Sequence, residues 1–182
     1  MLFQRIINVF KLSRPTFREI ENDPAATQEA AIVVALVALL SVIGSLFSVL
    51  IGGQRLGGAI VGLIFTFITT FVNWIIWAVV TYFVGTNLFK GDSTMEGMAR
   101  VIGYAYAPQL LGIIPCIGTI IGAIWSLVAS VIGIQEALDF DLGKAIITVI
   151  IGWVIILIIS SIIGTIFGVG AIGLGGLTGA FN

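Results

Sequence analysis

From Val101 to Gln135 the chain reads VIGYAYAPQLLGIIPCIGTIIGAIWSLVASVIGIQ, thirty-five residues without a charge. Crossing about 30 Å of hydrocarbon at about 1.5 Å of helical rise per residue takes about 20 apolar residues, so this run is too long for one helix. It holds Pro108 and Pro115, and Ile114-Pro115-Cys116-Ile117-Gly118 carries the breaker residues of a tight hairpin. The run is therefore read as two spans, 97–114 and 117–134.

Outward from it, Ala30 to Ile51 and Leu56 to Phe89 are also free of charge, and a further long apolar stretch follows Lys144. With 59% hydrophobic and 9% charged residues among 182, and a mean hydropathy of +1.19, the chain lies far from a water-soluble composition. The expected fold is all-α, a polytopic membrane bundle with five transmembrane helices at 30–51, 60–84, 97–114, 117–134 and 145–167. Residues 1–22 form an amphipathic segment, 23–168 the five-helix domain and 169–182 a Gly-rich tail. Asp23-Pro24 fits an N-cap followed by a first-turn proline, and Ser93 with Glu96 fits a capping box, which starts the third helix near Thr94.

Placed at 100° per residue, Leu2, Phe3, Ile6, Ile7, Val9 and Phe10 share one face of a helix, while Gln4, Arg5, Asn8 and Lys11 take the other. Such a helix lies in the headgroup layer or packs on the end of the bundle. Glu19, Glu21, Asp23 and Glu29 before the first apolar run argue against a signal peptide. Arg5, Lys11, Arg14, Arg18, Lys90, Arg100 and Lys144 fall on one side of the five-span arrangement and Arg55 on the other. Basic residues flanking spans stay cytoplasmic, so the N-terminus is expected in the cytoplasm and the C-terminus outside.

Several functions are argued against by composition. There is no His and a single Cys, Cys116, so the usual metal, haem and disulfide chemistry lacks ligands and no cofactor is expected. A net charge of −1 and a pI near 5.2 offer no footprint for nucleic acid. Apart from Arg100 near the start of the third, the expected spans hold no Asp, Glu, Lys, Arg or His, which argues against a proton-driven pump, and no nucleophile elbow or phosphate loop is present. Asp139 and Asp141 read as helix caps.

Two patterns remain. Gly118, Gly122, Ser126 and Ser130 recur every fourth residue, the spacing by which helices approach closely in lipid, within one chain or between copies. Asn73, Tyr104, Tyr106 and Gln109 are neutral polar groups inside spans, where an unpaired amide is costly, and they are expected around a shared intramembrane polar cavity. Pro108, by freeing the carbonyl of Tyr104, is expected to kink the helix beside it. Trp74, Trp77, Trp125 and Trp153 sit well inside their spans and read as packing faces or a cavity wall.

The strings Thr81-Tyr82-Phe83-Val84-Gly85, Leu88-Phe89-Lys90-Gly91-Asp92-Ser93-Thr94, Arg100-Val101-Ile102-Gly103-Tyr104-Ala105-Tyr106-Ala107-Pro108 and Val131-Ile132-Gly133-Ile134-Gln135-Glu136-Ala137 resemble the Yip family of Ypt/Rab-interacting multispanning membrane proteins, especially its short prokaryotic branch. The resemblance covers roughly Pro15 to Phe167. It implies five spans, a cytosolic N-terminus, no enzymatic activity and, for a prokaryotic member, the cell membrane. Eukaryotic relatives are linked to vesicle traffic through prenylated Rab-type GTPases. They carry an Asp-Leu-Tyr-Gly-Pro element before the first span where this chain has Asn22-Asp23-Pro24, so GTPase binding is not carried over. The expected function is a non-catalytic membrane adaptor or organiser acting through its cytoplasmic face on protein or lipid partners, membrane lipids included. The alternatives are a small channel, lipid translocator or carrier for a neutral or lipidic substrate, and an accessory subunit of a larger membrane complex or a homo-oligomer.

Overall fold

The computed structural model describes residues 1–52, 56–114 and 117–179, and the expected hairpin residues Pro115 and Cys116 lie outside them. Among the described residues the chain is helical, without strands. Two short helices, α1 (Leu2–Phe10) and α2 (Arg14–Asn22), precede two long ones, α3 (Ala26–Gly52) and α4 (Leu56–Phe89). Then come α5 (Met95–Ala105), a 3-10 segment (Ala107–Ile113), α6 (Ile117–Ala137) and α7 (Leu142–Gly179). Among the described residues four helices, α3, α4, α6 and α7, contain segments long and apolar enough to cross a membrane.

The expected third span is built differently. It is an 11-residue α-helix joined to a seven-residue 3-10 segment. Pro108, in the first turn of that segment, has no N–H and cannot sit within an α-helix without clashing with the carbonyl four residues back. The tighter 3-10 winding absorbs the break. Helix α7 also outruns its expected end at 167 and carries most of the expected tail in helical form through Gly179.

The caps show which local signals acted. Thr94, not Ser93, is the N-cap of α5, its hydroxyl accepting from the Gly97 N–H at 3.0 Å. Asp23 accepts from the Ala25 N–H at 3.0 Å just before α3, and Asp141 from the Lys144 N–H at 3.0 Å in the first turn of α7. At the other ends, Leu12, Lys90 and Asp139 adopt left-handed φ of 57°, 59° and 51°, closing α1, α4 and α6 without glycine.

Helix α5 is the axis of the fold. It packs against α2, α3, α4 and α6, and every residue from Gly97 to Ala105 except Ala99 is buried. Helix α7 closes the bundle by lying on α4 and α6. Helix α2 lies on the ends of α5 and α6, where Phe17 and Ile20 are fully buried beside Met98, Val101 and Ile134. Helix α1 packs beside it through Val9, also fully buried. We call this the capped end of the bundle.

Candidate functional site

The break at Pro108 organises a cleft. Two carbonyls near it need donors. That of Tyr104 is taken by the backbone at the C-cap of α5, and that of Ala105 accepts the Ser126 hydroxyl from α6 at 2.6 Å. The Gln109 amide in turn donates to the Ser126 oxygen at 3.3 Å. Between the 3-10 segment, α4, α6 and α7 this leaves a partly open cleft of about 340 Å³. Its polar lining is Asn73, Tyr106, Gln109, Ser126 and Ser130, and its walls include Trp77 and Trp153.

Three of the four polar residues singled out in the sequence thus border one cavity, and Tyr104 does not. Its hydroxyl donates to Glu29 on α3. Tyr104 and Tyr106 are two residues apart, about 200° around a helix, so opposite directions follow from helical periodicity. Thr66, Thr69 and Thr70 take no part, because each hydroxyl donates back to a carbonyl of α4 at 2.8 to 2.9 Å.

The small-residue stripe faces the same break from α6. Gly118, Gly122, Ser126 and Ser130 are all buried. A methyl group on Gly118 would fall 2.0 Å from the Leu111 carbonyl oxygen, and one on Gly122 would fall 2.7 Å from that of Pro108. Within this chain the stripe therefore lets the 3-10 segment lie directly on the backbone of α6.

Sequence reasoning missed a charge cluster at the capped end. Arg5, 5% exposed, meets Glu19 at 2.7 Å, Asp23 at 2.6 Å and Glu29 at 2.8 Å, and so ties α1 to α2, its C-cap and α3. Burial alone would lower the Arg5 pKa, but the bonds to Asp23, Glu19 and Glu29 outweigh it and raise it. Asp23 is held below its ordinary 3.8, first by its bond from Arg5. The available signal was Asp23-Pro24 itself, because the helix that follows it starts at Ala26 and carries Glu29 in its first turn.

A second groove, of about 290 Å³, lies between α2 and the loops that follow α4 and α6, lined by Arg18, Glu21, Ser93, Glu136 and Asp139 among others. Arg18 pairs with Asp139 and lies 3.7 Å from Glu136, and Ser93 donates to Glu21 at 2.7 Å. Burial, partly offset by that bond, pushes Glu21 above its ordinary 4.5. Among the described residues no group of His, Cys, Asp or Glu is placed to hold a metal ion.

A family model described as the Yip1 domain matches residues 7–177. No curated protein and no solved structure matches the chain.

Proposed function

This chain belongs to the Yip1 domain family, and on that premise we propose that it is a non-catalytic membrane adaptor whose capped end faces the cytoplasm and binds protein partners. The observation that carries the reading is an apolar flank at that end. Phe83 and Leu88 on α4 are 54% and 61% exposed, and Ile146 and Ile147 on α7 are also exposed. They lie beyond Trp74 and Trp77, on the same side of them as the charged groove.

The depth of the bundle supports this placement. The cluster of Arg5 with three carboxylates is level with Tyr104 on α5, and a charge cluster is costly in hydrocarbon. Below it α3 runs a further 23 residues to Gly52, about 35 Å, and α4 reaches about 27 Å from Trp74 back to Leu56. The arm from Tyr104 to Ile113 extends only about 15 to 20 Å even if straight. In this reading α3, α4 and α7 cross, while α5, the 3-10 segment and α6 dip in and return. Trp74, Trp77, Trp125 and Trp153 then fall at the cytoplasmic interface, where tryptophan is enriched. Neither turn of the returning arm changes the side of any Lys or Arg, so the N-terminus remains cytoplasmic and the C-terminus outside.

Photo-crosslinking residues placed at Phe83 and at Ile147 in native membranes test the adaptor reading. The expected result is the same protein captured from both positions and lost when Leu88→Glu is added. Capture of lipid alone from both would place this flank in the bilayer and end it.

A further inference from the structure

We infer that the cleft beside the proline break binds one glycerophospholipid of net-neutral headgroup, its phosphate and ester oxygens meeting the donors that line the cleft. This rests on the placement of the cleft at the cytoplasmic interface argued above, which puts it at headgroup depth.

The donor inventory comes first. Asn73, Tyr106, Trp77 and Trp153 line the cleft, and none of their side-chain donors has a partner among the described residues. None is sealed either, because among the described residues the buried side-chain polar atom without a partner is Gln135 Oε1. The neighbouring hydroxyls are spent on the fold, Ser126 on the Ala105 carbonyl and Ser130 on that of Ser126. Four donor side chains left open at headgroup depth call for acceptors. An occupant rich in acceptors satisfies them. Phosphodiester and ester oxygens are such acceptors, and a phospholipid is the acceptor-rich molecule that reaches this depth from the side.

Charge selects the class. No lining residue is ionisable apart from the tyrosine, so a headgroup with net charge would find no counter-charge. A zwitterionic one brings its own, and the exposed ring of Trp153 suits its ammonium group. The volume of about 340 Å³ falls at the lower end of small-molecule sites, about 300 to 1,000 Å³, enough for a headgroup and glycerol with the chains left in the bilayer. Ala123, Leu127 and Ile156 supply the apolar remainder of the wall.

The full chain, purified into micelles containing equal phosphatidylethanolamine and phosphatidylglycerol, is read by native mass spectrometry after a detergent wash. A single phosphatidylethanolamine is expected to remain, favoured over phosphatidylglycerol. Asn73→Leu removes an open donor, and Ala123→Trp fills the cleft from an exposed position; each should cut retention by about tenfold. Ile124→Trp, on the same helix but outside the cleft, should retain lipid as wild type does. Should Ala123→Trp fail to fold, Asn73→Leu still decides. Loss of all lipid from wild type, equal retention in Asn73→Leu, or a preference for phosphatidylglycerol would overturn the proposal. None of these outcomes bears on the protein captured from Phe83, so the adaptor reading stands or falls separately.

Discussion

The Arg5 guanidinium and the Glu29 carboxylate, 24 residues apart, meet at 2.8 Å, and the same Glu29 oxygen accepts the Tyr104 hydroxyl. One carboxylate thereby joins α1, α3 and α5. Helix α1 is held to the bundle along one edge, where Arg5 and Val9, four residues apart and about 40° around the helix, are both buried.

Arg5→Met should leave Glu19, Asp23 and Glu29 facing one another without their central cation, the N-terminal ammonium standing 3.8 Å from Glu29. Removing one partner of a buried pair costs about 3–5 kcal/mol; because Glu19 is 54% exposed and partly screened, about 2–3 kcal/mol is expected here. Tyr104→Phe should cost about 1–2 kcal/mol. Melting in detergent, with limited proteolysis of residues 1–12, reads both. Wild-type melting and protease resistance in Arg5→Met would show that the cluster does not hold α1.

The glycines of the stripe should rank by what a methyl group meets. Gly118→Ala should destabilise most, by about 1–3 kcal/mol, because the obstacle at 2.0 Å is backbone; Gly122→Ala, at 2.7 Å, should cost less. At Gly62 nothing lies within 4 Å, so Gly62→Ala should be neutral or gain up to about 1 kcal/mol from helix propensity. Equal melting temperatures for Gly118→Ala and Gly62→Ala would contradict the close approach.

Two carboxylates should respond to pH in opposite senses. Asp23 binds its proton less tightly when folded, so its stabilisation is complete above 3.8 and is lost as pH falls through its lower folded value. Glu21 binds its proton more tightly when folded, so stability declines as pH rises from 4.5 through its raised value. The deficit of Asp23→Asn relative to wild type should shrink in acid. Glu21→Gln should gain on wild type as pH climbs above about 4.5. Melting curves across this range check both, and parallel curves would remove the linkage.

The proposal that α5, the 3-10 segment and α6 return to the cytoplasmic side is open to cysteine labelling. With Cys116→Ser as background, cysteine at Ser93 should react with an impermeant reagent from the cytoplasmic side and at Asn182 from outside. Cysteine at Ile113 or Ile117, both well exposed on the protein surface, should react from neither side, being held in the bilayer. Labelling of these two from outside would restore five full crossings.

Residence in the membrane, the helical class, the start of α5 near Thr94 and the break at Pro108 were all legible in the sequence. Each depends on hydropathy, a cap or a proline, which act within a few residues along the chain. The same holds for the stripe on α6, whose four-residue spacing exposes one narrow face. What the face meets is a tertiary matter, because Leu111 and Pro108 belong to the 3-10 segment that packs on α6. Likewise the helix start marked by Asp23-Pro24 puts Glu29 near the beginning of α3, and only the docking of α1 and α5 there brings Arg5 and Tyr104 to it. Depth along the bundle is decided in the same way. The uncharged run from Val101 to Gln135 carries no mark of where it stands beside its neighbours, and only the contact of Tyr104 with Glu29 sets α5 against the start of α3.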